Sequence, residues 1–182
     1  MWITLVLVLA LVLAALAYRF AGFSSQRPAQ YAGLGPVFDP RHHLNGPILC
    51  EGVIYGPLGR VTARFVARIE GRWDGNRGTL TEHFRYDSGD VQDREWRLSL
   101  GNDGTIKAEA DDVVGTGTGT ISGPTVQMTY NLRLPQKGGG HVLSVNGWMY
   151  LTENGTIMNR SQFRKYGIKV AELVATMRPT AA

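Results

Sequence analysis

Val61, Ala63, Phe65, Ala67 and Ile69 occupy alternate positions, and Thr62, Arg64, Arg68, Glu70 and Arg72 fill most of the gaps. Trp73-Asp74-Gly75-Asn76 follows, and a second alternating run extends from Thr79 to Tyr86. Successive side chains point to opposite faces of a strand. A two-residue period with an Asp-Gly turn between two runs therefore specifies a β-hairpin with one buried face. A helix competes, because Val61, Phe65 and Ile69 are also four apart, as are Arg60, Arg64, Arg68 and Arg72. Ala63 and Ala67 fit only the alternating count, and Gly56-Pro57 and Asp74-Gly75 bound the run, which favours strand.

The unit recurs along the chain. The pattern predicts strands at 48–55, 60–73, 77–86, 91–100, 105–110, 114–122, 125–134, 141–152, 156–166 and 168–177. Short turns rich in Gly, Asp and Asn separate them, and such loops favour antiparallel neighbours. The segment Val170 to Ala175 also fits a helix. This many strands without a long helix between them imply a meander that closes on itself, because closure removes exposed edges. The expected fold is all-β, an antiparallel up-and-down calycin- or lipocalin-like barrel of eight to ten strands, preceded by an N-terminal transmembrane helix.

Three segments are expected: an apolar anchor or signal segment at 1–20, a linker at 21–47 and the barrel domain at 48–178. Trp2 to Tyr18 is 17 residues without a charge. As a helix it would reach about 25 Å, just short of a typical hydrocarbon core. Ala15-Leu16-Ala17 fits a cleavage site but lacks a polar region before it, so an uncleaved anchor is favoured over a removed signal peptide. Arg19 and Arg27 argue for a cytoplasmic domain by the positive-inside rule, whereas an export signal argues the reverse. Residues 21–47, rich in Ser, Gly and Pro, are expected to form a semi-extended tether, with Phe38-Asp39-Pro40 pinning its end on the domain.

Composition narrows the function classes. The net charge of +4 comes from dispersed basic residues, which predicts a solvated surface and no nucleic-acid patch. The single cysteine, Cys50, excludes an intrachain disulfide and a cysteine-based zinc cluster. Its place inside a strand predicts a buried, inert thiol. No metal site and no cofactor is expected: His42-His43 and Asp39 form a linker pair whose rings point apart on an extended chain. Gly115-Thr116-Gly117-Thr118-Gly119 lacks the ending of a phosphate loop and predicts close packing or a sharp bend.

The candidate site rests on parity. Glu82 shares the face of Leu80, Phe84 and Tyr86, so a carboxylate points inward and must be paired, hydrogen-bonded or wet. Arg94 or Arg97 on the next strand is the expected partner. Asp111-Asp112 is read as a turn feature, with a carboxylate pair at the barrel mouth as the competing reading. Asn159 and Arg160 add polar groups to a late strand. The candidate ligand-binding residues are Glu82, Phe84, Tyr86, Arg94, Trp96, Trp148, Tyr150 and Asn159. No catalytic residue is assigned, and no Gly-x-Ser-x-Gly or His-Glu-x-x-His motif is present.

Together, Ile69-Glu70-Gly71-Arg72-Trp73-Asp74-Gly75, the run Leu80 to Gly89, Arg94-Glu95-Trp96, Asp112-Val113-Val114-Gly115, Trp148-Met149-Tyr150, Asn159-Arg160-Ser161 and Lys165-Tyr166-Gly167-Ile168 resemble the proteobacterial domain-of-unknown-function 3833 family. The resemblance spans about Phe38 to Met177. It implies a lipoprotein of the Gram-negative cell envelope and carries no catalytic residue across. No cysteine follows the leader here, so the apolar leader itself is the expected anchor, holding a periplasmic domain to the inner membrane.

Three functions are weighed. The first is a membrane-tethered envelope module that binds a small apolar or amphipathic, lipid-like molecule. The second is an accessory structural or interaction protein with a filled barrel. The third is an enzyme using Glu82. A cavity lined by aromatic residues favours the first, and a packed interior the second.

Overall fold

The computed structural model describes residues 2–20 and 22–180. After the leader helix α1 (Trp2–Phe20) and the short helix α2 (Pro40–His43) come the strands β1 (Gly46–Tyr55), β2 (Val61–Asp74), β3 (Arg77–Tyr86), β4 (Val91–Leu100), β5 (Thr105–Glu109), β6 (Gly117–Ser122), β7 (Thr125–Arg133), β8 (Val142–Leu151), β9 (Ile157–Lys165) and β10 (Ile168–Pro179). Each strand pairs antiparallel with the next, and β10 pairs with β1 to close the barrel. The segment from Val170 to Ala175 is strand and belongs to this closing seam, where Val53 pairs with Val174 and Cys50 with Met177.

Most strand limits follow the sequence pattern. The largest departure is β6, which begins at Gly117. The preceding residues instead run along the end of β7, where Val113 bridges to Leu132. Gly117 and Gly119 face inward and are buried against Tyr130 and Met128, so the glycine run is a packing feature.

The interior divides into a floor and a mouth. Ile48, Ile69, Ile106, Val126, Ile157 and Met177 are buried at the end where α2 sits. Phe84, Tyr86, Leu132, Phe163 and Leu173 face the same interior at the opposite end but are only half-buried. Inward side chains with that much exposure mark a cavity open to solvent.

Residues 22–45 do not form a free tether. They run down the outer face of the barrel and turn under its floor. Ser24 Oγ accepts a hydrogen bond from Arg164 Nη2 at 2.8 Å, and Phe23 lies 4.7 Å from the Arg160 guanidinium. The Pro28 carbonyl accepts from Ser122 Oγ at 2.6 Å, and Phe38 N donates to the Gly123 carbonyl at 2.9 Å. Phe38 and Leu44 are 1% and 2% exposed, so the segment supplies part of the core. Gly71 and Gly123 make room for it: a Cβ at either would collide with the backbone carbonyl of Leu44 or Tyr31.

His42 and His43 lie on α2, not on an extended chain, and their rings sit 4.7 Å apart. Asp39 caps that helix by accepting from Arg41 N at 3.0 Å, so the group serves a helix end. Among the described residues no helix is long and apolar enough to cross a membrane. The transmembrane helix expected of the leader is therefore not found, because its uncharged stretch is shorter than a hydrocarbon core of about 30 Å.

Candidate functional site

The cavity has a volume of about 500 Å³. Three aromatic residues form one wall. Phe65 on β2 lies 5.4 Å from Phe84 and 6.0 Å from Tyr86 on β3. Trp96 on β4 and Tyr130 on β7 meet edge to face at 5.1 Å on the other side. Alternation within each strand places these rings inside, since each shares the parity of a buried aliphatic neighbour. Met149, Phe163 and Leu173 complete much of the remaining apolar lining.

Gln92, Asn159 and Ser161 put polar groups into this surface, and a charged cluster forms around Glu82. Glu82 is directly opposite Arg94 in the β3–β4 register, and both line the cavity. Arg94 Nε donates to Asp112 Oδ1 at 3.0 Å. Its Nη2 also lies 3.0 Å from that oxygen but makes no well-directed hydrogen bond. The guanidinium is stacked 4.1 Å from the Trp96 ring and 5.7 Å from that of Tyr130. Asp112 is fixed at the mouth by backbone bonds on either side: Arg133 N to the Asp112 carbonyl at 2.7 Å, and Val114 N to the Asn131 carbonyl at 2.8 Å.

Glu82 is 8% exposed, and its Oε2 has no hydrogen-bond partner among the described residues. Burial pushes its carboxyl up to about 7. Arg94 pulls the value down and Asp112 pushes it up. The same burial raises the Tyr130 hydroxyl and pushes the Cys50 thiol up to about 12, so Cys50 is a buried thiol lining the floor.

Six of the eight candidate residues line the cavity: Glu82, Phe84, Tyr86, Arg94, Trp96 and Asn159. Trp148 and Tyr150 do not. They stand on the outer face of β8, while Gly147 and Met149 face inward. Trp148 is still 1% exposed, because Tyr31 of the outer segment covers it at 5.4 Å. Gln26 Oε1 accepts from both the Tyr31 and Tyr150 hydroxyls, at 2.6 and 2.7 Å. Arg160 is also outside. It pairs with Glu172, which Lys169 and Gln162 also contact.

Arg97 points outward to Asp111, so only Arg94 meets Glu82. The two aspartates of Asp111-Asp112 diverge, one to each arginine. Sequence reasoning missed Tyr130 and Phe65 as lining residues, and it weighed Asp112 only as half of a carboxylate pair at the mouth. The parity of Phe65 with Ile69, and of Tyr130 with Val126 and Met128, is the signal that would have found the first two.

The geometry defines a closed antiparallel up-and-down barrel with a largely apolar cavity and a charged cluster of Glu82, Arg94 and Asp112 in its lining. Within that class, the chain belongs to the family described as protein of unknown function (DUF3833), whose model matches residues 17–179. Solved structures that share the fold include the following two. The S-type phycobiliprotein lyase CPES from Guillardia theta has a TM-score of 0.56 at 10% identity, covering 77% of this chain and 90% of that one. Rv2717c from M. tuberculosis has a TM-score of 0.57 at 14% identity, covering 81% and 99%. No curated protein matches the sequence.

Proposed function

We propose that the protein is a carrier or sensor that takes one small apolar or amphipathic molecule into the barrel. The supporting observation is the cavity itself. Its volume of about 500 Å³ falls within the range of about 300–1,000 Å³ typical of small-molecule sites. A largely aromatic and aliphatic lining with a charged cluster at Glu82 suits a lipid-like body with a polar end. A filled structural barrel would leave no such volume. One of the similar folds is a phycobiliprotein lyase, but at 10% identity only the architecture is shared.

The leader belongs to this proposal as a tether. Trp2, Ile3, Leu5, Leu7, Leu9 and Leu11 are exposed on α1 and need an apolar cover. An inner membrane supplies one, with the barrel in the periplasm.

Native mass spectrometry and lipid extraction of the purified protein test the reading. A stoichiometric small molecule, or saturable binding of the neutral fluorophore N-phenyl-1-naphthylamine, is expected. An empty barrel that also refuses the fluorophore would refute it. The Glu82 carboxyl supports one second reading. A buried acid group whose pKa is raised to about 7 can exchange a proton with a ligand. Conversion of the bound molecule on incubation, abolished by Glu82→Gln, would establish that chemistry.

A further inference from the structure

We infer that the ligand is a single-chain amphiphile with an uncharged head that both donates and accepts a hydrogen bond, such as a hydroxyl or an amide, and that fatty-acid anions are excluded. The inference rests on the ligand-binding reading above and names the ligand class of that site.

Glu82 and Arg94 both line the cavity, and each carries a buried side-chain atom without a well-directed hydrogen bond among the described residues: Glu82 Oε2, and Arg94 Nη2, which lies 3.0 Å from Asp112 Oδ1. They belong to residues directly opposite each other on adjacent strands. One accepts and the other donates. Leaving such groups unmatched is costly inside a protein, and a ligand that matches both gains accordingly. A hydroxyl or primary amide does so with one small head: its hydrogen goes to the carboxylate and its oxygen accepts from the guanidinium. A hydrocarbon satisfies neither.

The charge count decides against an anion. At the Glu82 spot two carboxylates, Glu82 and Asp112, face the Arg94 guanidinium, which already gives its Nε hydrogen bond to Asp112, while the other cation of the lining, Arg133, is exposed at the mouth. A second anion would meet a spot that is at best neutral and at worst negative, in a low-dielectric cavity where like charges repel strongly. Arg94 itself is therefore not a free arginine awaiting a carboxylate or phosphate.

The test is displacement of N-phenyl-1-naphthylamine from the full chain at pH 8 by 1-monolauroylglycerol and by dodecanoate, which have equal acyl length. The neutral amphiphile should displace the fluorophore at about tenfold to a hundredfold lower concentration than the anion, the range of a buried hydrogen bond to a charged group. Glu82→Gln removes a negative charge while keeping an acceptor, and should narrow that ratio to within about threefold by strengthening dodecanoate. Equal displacement by the two in the wild type, or a ratio unchanged in Glu82→Gln, overturns the inference and leaves the carrier reading standing. Failure of the fluorophore to bind overturns the carrier reading and this inference with it. The wild-type ratio decides the matter even where the variant does not fold.

Discussion

Glu82 and Arg94 face each other across β3 and β4, yet the arginine gives its well-formed hydrogen bond to Asp112 and leaves Glu82 Oε2 unpartnered. A buried carboxyl beside a cation that is already engaged is the origin of its raised pKa.

That shift sets a pH dependence with a defined sign. The charged groups facing Glu82 are Arg94 and Asp112, with the neutral Tyr86, Tyr130 and Cys50 nearby. Its carboxyl rises from 4.5 to about 7 on folding, so the native state holds a proton that the unfolded chain releases. The associated stability is fully present below pH 4.5 and is lost as pH rises through about 7. Relative to Glu82→Gln, the wild type should lose roughly 3 kcal/mol across that window. Urea melts of both proteins at pH 4.5 and pH 8 measure the difference. A constant difference would mean that the carboxyl is solvated.

Asp112→Asn should move the same window downward. The substitution removes the negative charge that raises Glu82 and frees Arg94 to turn toward it. The difference between wild-type and Glu82→Gln backgrounds, each carrying Asp112→Asn, should therefore shrink. The same pair of melts reports it.

Trp148→Ala should cost about 3–5 kcal/mol, as deletion of a fully buried large ring does. The loss should appear although the ring lies outside the barrel. Hydrogen exchange should rise in residues 22–34, which cover it, before it rises in the strands. A cost below about 1 kcal/mol would place the ring in solvent.

Gly71→Ala should cost about 1–3 kcal/mol by overpacking. The added methyl meets the Leu44 carbonyl, which also accepts from Trp73 Nε1 at 2.9 Å. Proteolysis should then start in residues 35–45. Cleavage beginning elsewhere would show that the floor does not depend on this contact.

The direction of Glu82 was legible because β3 alternates cleanly, with His83 and Arg85 exposed on its other face. The same count placed Arg94 and Trp96 inside together. It failed on β8 because that strand is covered on both sides. Leu143, Val145 and Leu151 are buried inward, while Trp148 is buried outward beneath Tyr31. With apolar residues on both faces, parity has no phase to read. The docking of residues 22–45 depends on contacts such as Pro28 with Ser122, which no local pattern encodes. Asp112 is similar: its partner lies on β4, and its position depends on the bridge from Val113 to Leu132.

The seam between β1 and β10 has a consequence for biogenesis. Ile48 pairs with Pro179 and Tyr55 with Glu172, so the first strand to be synthesised waits for the last. Until β10 emerges, the nascent sheet has two unpaired edges and an uncovered apolar interior, the state most exposed to intermolecular strand addition. Closure therefore waits until β10 has been synthesised. A chain that stops short of β10 leaves both edges open permanently, and its fate is aggregation or degradation.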